Sequence, residues 1–216
     1  MSVTPDGSPV VLYQRLSPGD EPAIIHSAVV PGAEILELGA GAGRVTYALI
    51  ALGHRVVAVD ESPEMLASIH GAETVLGRIE GLDLGRRFEA VVLGSHFVNV
   101  PDDEERLALL ATCERHVSNS GVVLIQHHPA DWAATATEGR TERDGIGIAL
   151  TELYRDPPFV TATMVYEIDG QTFRQPFTAR VFSPEEMAAE LERAGLRFDR
   201  QLTPTWISAR RATPRG

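Results

Sequence analysis

Lysine is missing from this chain: all 19 of its basic residues are arginine. That removes Schiff-base chemistry and a lysine general base. Cysteine occurs once, as Cys113, which excludes an internal disulfide and a cysteine-rich metal site. No apolar run approaches the roughly 18 residues that read as a membrane-spanning helix. The opening MSVTPDGSPVVLYQRL has neither a basic n-region nor an apolar h-region, so a cytoplasmic chain without a secretory signal is expected. Positive charge is in deficit: the net charge is −11, which disfavours a phosphate backbone as partner. No internal repeat is visible, and no linker is long enough to separate two units. The 216 residues therefore read as one domain, 1–216, with a lid and antiparallel insertion over 133–182.

What is present is concentrated in ILELGAGAGRVTYALIA, residues 35–51. Ile35 to Leu38 reads as a short buried strand. Gly39, Gly41 and Gly43 make a turn, and Val45, Ala48, Leu49 and Leu52 recur at helical spacing until Gly53. Glycines let the backbone adopt positive φ and let a ligand approach the main chain, and the helix start offers free N–H groups. The dinucleotide fingerprint G-x-G-x-x-G needs a glycine where this chain has Arg44. A second unit follows, RVVAVDESPEML: a strand ending in Asp60, then Ser62 as N-cap and Pro63 in the first helical turn. An acid at the end of this second strand is placed to accept hydrogen bonds from both hydroxyls of a ribose.

The spacing E-x-G-x-G-x-G from Glu37 to Gly43, followed by the strand ending at Asp60, resembles motif I and the segment after it in the class I methyltransferases that use S-adenosylmethionine (SAM), specifically the small-molecule type. The acid has a physical reason. SAM carries an ammonium and a sulfonium rather than a pyrophosphate, and a carboxylate complements such charge.

Further along, Asp20 is a candidate N-cap for a helix over 20–29, and Pro31-Gly32 stops it. Thr74–Leu76 and Phe88–Leu93 read as strands. Asp102 and Glu105 have capping-box spacing before a helix whose buried stripe is Leu107, Leu110 and Val117. Val122–Ile125 is the fifth strand. Residues 133–144 are polar and read as a mobile helix or lid. Runs over 146–154, 160–168 and 172–182 read as three antiparallel strands, with Asp169-Gly170 as a hairpin turn. A capping box at Ser183–Glu186 opens the last helix, Gly195 closes it, and two strands follow over 196–202 and 206–209. Residues 1–9 read as loose, and 210–216 as a disordered tail.

The resemblance implies a doubly wound, mostly parallel seven-stranded α/β sheet with an antiparallel β insertion before the last helix. It implies SAM as cofactor, lying across the carboxyl ends of the first, second and fourth strands. Gly39, Ala40 and Gly41 would line its methionine part, with Gly43 completing the turn and Glu37 complementing the ammonium. Asp60 would hold the ribose, and Glu61 and Met65 would border the adenosine. Gly94 and Ser95 stand at the end of the fourth strand, and Tyr13 would close over the methionine end. Arg78 stands where the family often has an aspartate for adenine, leaving the backbone of Ile79, or Asp83, for that role. His96, His127 and His128 are the candidate acid/base residues, because imidazole titrates near neutrality; a packing or SAM-contacting role is the alternative for His96. Adjacent His127 and His128 point to opposite faces of a strand, so a polar pocket wall is expected rather than a metal site.

The implied reaction is methyl transfer to an N, O or C atom of a small-molecule acceptor, in specialised metabolism. The insertion, with Tyr154, Tyr166, Phe173 and Arg174, would supply the acceptor pocket or a homodimer contact. An Asn-Pro-Pro-Tyr run, expected for nucleic-acid methylation, is absent, as is the aspartate of catechol-type magnesium sites. A nicotinamide oxidoreductase on the same sheet and a non-catalytic SAM-binding partner protein remain the alternatives.

Overall fold

A computed structural model of the chain describes residues 10–212. The segment 1–9, read above as loose, and the tail 213–216 lie outside the described residues. The main sheet has seven strands in the order β10-β11-β5-β4-β1-β2-β3. Its central members are β1 (Glu34–Leu38), β2 (Arg55–Asp60), β4 (Phe88–Leu93) and β5 (Val117–Gln126), with β3 (Glu73–Leu76) at one edge. These five are parallel. The hairpin β10 (Leu196–Thr203) and β11 (Trp206–Arg211) closes the other side antiparallel to β5. The expected seven-stranded sheet is therefore found.

Central parallel strands are covered on both faces and so are apolar almost throughout. Alternation along β1 shows how the faces divide. Leu36 and Leu38 pack in one core with Leu109, Leu110 and Cys113 of α5 (Asp103–His116) and Leu191 of α7 (Pro184–Arg193). Ile35 points the other way, to Ile25 of α2 (Glu21–Ala28) and Leu49 of α3 (Arg44–Ala51). Glu37, two residues on from Ile35, shares that second face. Burial pushes the Cys113 thiol up to about 12, so it is an inert packing group.

The insertion has four strands rather than three: β6 (Gly139–Arg143), β7 (Ile146–Asp156), β8 (Phe159–Ile168) and β9 (Gln171–Arg180), paired antiparallel in that order. The extra strand lies within the stretch read as a lid, after a single helical turn, α6 (Trp132–Thr135). All five residues of β6 are exposed, and its Arg140 forks onto Glu167 at 2.9 and 2.6 Å. A charged edge strand of this kind carries no alternation to read. Asp169 and Gly170 both have positive φ, as the hairpin reading required. The run Val10–Arg15 is helix α1, which packs Leu12 against Ile146 and Ile168 of the insertion.

Three details depart from the sequence reading. Asp20 has helical φ and makes no side-chain cap. Arg210 and Arg211 are the end of β11, paired with Asp199 and Glu114, rather than the start of a loose tail. On α5 the buried face is Arg106, Leu109, Leu110, Thr112, Cys113 and His116. Its polar members are buried because each is satisfied. Thr112 donates to the Ile79 carbonyl at 2.8 Å. His116 accepts from the Leu84 amide at 3.0 Å, which leaves its other nitrogen to donate to Thr112 O at 2.8 Å. The fully buried Arg106 donates to Glu190 at 2.9 Å and to the Val100 carbonyl at 2.9 Å, and its guanidinium lies 4.9 Å from the Phe182 ring.

Arg106 thus joins α5, α7 and the chain leaving the insertion. Replacing it with Met leaves the buried Glu190 with Arg193 as its one remaining ion-pair partner among the described residues. We expect a loss of about 3 kcal/mol in urea unfolding, and recovery of most of it in the Arg106→Met, Glu190→Met double variant.

Candidate donor and acceptor cavity

The carboxyl ends of β1, β2 and β4 open on a cavity of about 650 Å³. The glycine turn forms its floor. At Gly39 (φ +72°) an added Cβ would lie 2.3 Å from the Phe97 ring, so this glycine is required by both conformation and contact. At Gly43 (φ +87°) it would lie 2.8 Å from Ile69 Cγ1. Gly43 therefore serves the packing of α3 and does not line the cavity. At Gly41 (φ +56°) an added Cβ meets nothing within 4 Å: here the bare backbone faces open space.

Asp60 fixes the turn. One carboxylate oxygen accepts from the Gly41 amide at 2.8 Å and the other from the Ser62 amide at 2.9 Å. Ser62 in turn caps α4 (Pro63–Leu66) by accepting from Met65 N at 3.2 Å. Tyr13, Gly39, Ala40, Gly41, Asp60, Glu61, Met65, Ile79 and Ser95, all sequence-predicted donor residues, line the cavity. Glu37 and Gly94 line instead a small adjoining cleft of about 30 Å³, which also touches Glu21, Gly39 and Arg44.

Glu37 is buried, and its carboxylate accepts from the Thr46 hydroxyl at 2.6 Å. Burial pushes its pKa up to about 7, with the Thr46 bond and Arg44 working against the rise. Glu21 is also desolvated, but Arg44 at 2.9 Å and nearby backbone amides hold it below the usual carboxylate range. Asp83 is placed away from the cavity, where it caps the Gly85 amide at 2.9 Å. Arg78 lines the cavity and pairs with Glu80 at 2.8 Å.

The three histidines are not among the cavity-lining residues. His96 stacks on His128 (centroids 4.0 Å apart, 3° between planes), and His128 on Trp132 (3.8 Å, 6°). Trp132 faces Phe177 at 6.4 Å. Burial holds His96 down to about 4, helped by His127; burial and the neighbouring histidines hold His128 down to about 3. Both rings are neutral at neutral pH. His127 bonds the His128 carbonyl at 2.8 Å and approaches Gln201 at 3.2 Å. No group of three or more metal-ligating side chains occurs among the described residues.

In the insertion, the aromatic and charged residues singled out in the sequence lie elsewhere. Tyr154 is exposed, and Arg174 pairs with Glu152 at 2.6 Å. Tyr166 and Phe173 pack against Leu12 and Tyr13 of α1. The residues of the insertion that line the cavity are Met164, Gln175, Pro176 and Phe177. Period-2 alternation could have separated the two sets, but only with the register of β8 on β9 known: Met164 faces Gln175 and Ala162 faces Phe177. Phe97, next to His96 in the chain, also lines the cavity, and nothing in its sequence context marks it for that place.

Residues 35–121 match the family model described as "Methyltransferase domain". A stretch of 118 residues, 51% of this chain, is 30% identical to the cypemycin N-terminal methyltransferase of a Streptomyces species. The matched stretch spans about half (48%) of that relative. Among solved structures, the CcbJ methyltransferase from Streptomyces caelestis superposes with a TM-score of 0.72 at 21% identity, covering 93% of this chain and 92% of its own. CalS10 from Micromonospora echinaspora, described as an amino pentose methyltransferase with SAM bound, gives 0.70 at 20% identity, covering 94% and 95%. Residues 35–121 are thus similar in sequence to a methyltransferase domain, and almost the whole chain shares its fold with solved methyltransferases.

Proposed function

We propose that this chain transfers a methyl group from SAM to an N, O or C atom of a small-molecule acceptor. The observation that carries the proposal is the single continuous cavity, floored by the glycine turn and Asp60 and walled on its far side by the insertion. Its floor suits an adenosyl donor. Open space over Gly41 admits a ligand against the main chain. The Asp60 carboxylate, already oriented by two amides, keeps lone pairs for ribose hydroxyls. Arg44, at the α3 N-terminus, and Glu21 and Glu37 in the adjoining cleft offer charges of both signs to an amino-acid end. A small acceptor is supported by the wall that the insertion adds to the cavity and by the descriptions of structural neighbours, which include an amino pentose methyltransferase and a sugar N-methyltransferase.

The donor brings a methyl group activated by a sulfonium. With the donor bound, the acceptor atom would form the new bond to carbon as the S–CH3 bond broke with its electron pair going to sulfur, and the acceptor's proton would pass to solvent. The leaving thioether is neutral and needs no acid. The chain's part is to align the acceptor with the methyl group and exclude water, which can supply a large share of the rate. With His96 and His128 held neutral and stacked, their part in this reading is to shape the wall.

Calorimetric titration with S-adenosylhomocysteine tests the donor assignment. Tight binding is expected in the wild type, and Asp60→Ala should weaken it by tenfold or more, as expected when about two hydrogen bonds to a charged group are lost. Unchanged affinity in that variant would remove the ribose assignment. Titrating the same ligand from pH 6 to 8 tests Glu37. The ammonium of this ligand favours the ionised carboxylate, so affinity should rise roughly tenfold as pH climbs through about 7 and then level. Glu37→Gln should flatten the curve.

A further inference from the structure

The far wall of the cavity differs in character from its floor. It consists of Met164 on β8 and Pro176 and Phe177 on β9, with Gln175 as its amide, while Phe97 lines the cavity beside Gly39 of the glycine turn. Tyr13 also borders it, and its hydroxyl is engaged with that of Tyr166. The rest of the lining, by contrast, carries the charged groups Arg44, Asp60, Glu61, Arg78, Glu80 and Glu105.

Phe177 is backed by a column of flat rings. Trp132 lies behind it (6.4 Å, 17°), then His128, then His96 at the end of β4. Asn99, which is buried, ties the middle of this column to the end of β9. Its carbonyl accepts from the His128 amide at 3.0 Å, and its amide donates to the Arg180 carbonyl, where β9 leaves the insertion, at 2.7 Å. The wall is therefore flat and set before any ligand arrives, so little ordering cost remains to be met on binding.

Such a surface selects by shape and polarity. A polyhydroxylated acceptor needs a partner for every hydroxyl it buries, and each one left without a partner lowers affinity. A planar ring needs only apolar contact and stacking, which thioether, proline and phenyl groups supply. We propose that the acceptor is a flat, largely apolar ring compound, an arene or heteroarene bearing the nucleophilic atom, laid against Phe177. This rests on the methyl-transfer reading above and names its acceptor class.

The test uses the full chain saturated with S-adenosylhomocysteine and saturation-transfer NMR. Tyramine and 4-aminophenol serve as ring probes, with glucosamine and galactosamine as polyhydroxylated amine probes. Transfer to the ring protons several-fold above transfer to the sugar protons is expected, on the scale of pocket selectivity. Phe177→Ala should abolish that preference, and Phe177→Leu should keep part of it, with retained homocysteine-ligand binding showing each variant folded. If the sugars receive equal or greater transfer, or no probe receives any, the acceptor proposal is overturned while the donor reading stands. If S-adenosylhomocysteine itself does not bind, it is the methyl-transfer reading that fails.

Discussion

The arrangement depends on one carboxylate. Asp60, at the last position of β2, bonds the Gly41 amide with one oxygen and the Ser62 amide with the other. Parallel pairing sets Asp60 one residue beyond the end of β1, where Leu38 stands beside Val59. The same side chain thereby ties together the end of β2, the glycine turn after β1 and the cap of α4. A ligand hydroxyl arriving at Asp60 meets a carboxylate whose direction is already set, and a backbone floor at fixed distance from it. Without that tie, three flexible glycines would have to be ordered by the ligand itself.

The polar groups buried around this floor differ in how they are held. Arg106, Thr112 and His116 sit on α5 with full sets of partners, and they stiffen the side of the sheet away from the glycine helix. Glu37 sits on the other face with one hydroxyl partner and an unfavourable desolvation, which leaves it near neutrality in pKa. A group in that condition is stabilised by a cation brought to it, whereas the α5 groups have nothing to gain from a ligand. The insertion closes the cavity from above. It is tied to the core through α1, where Leu12 is buried against Ile146 and Ile168 while Gln14 bonds Ser68 at 2.8 Å.

How much of this was legible follows from where the physics is local. The strand, turn and helix around Glu37–Gly43, the strand ending at Asp60, the Ser62 and Ser183 caps and the Asp169-Gly170 turn were all readable, because each is set by residues within a few positions of one another. Strand β6 was not, because an exposed charged edge strand has no apolar period. Helix α5 misled because a satisfied arginine or histidine can occupy a core position that pattern reading reserves for leucine. In the insertion the residues chosen by chemistry, Tyr154, Tyr166, Phe173 and Arg174, were displaced by Met164 and Gln175–Phe177. Only the cross-strand register decides which face meets the cavity. His96 and His128 stand stacked with Trp132, and neither is among the cavity-lining residues, a placement that residue type alone does not reveal.

A crystal structure of the full chain grown with S-adenosylhomocysteine tests the central claim most directly. The account predicts ribose hydroxyls on the Asp60 carboxylate, the methionine end against Gly39 to Gly41, and the sulfur directed toward the wall that holds Phe177. A vacant glycine turn, or a ligand whose ribose lies away from Asp60, would contradict it.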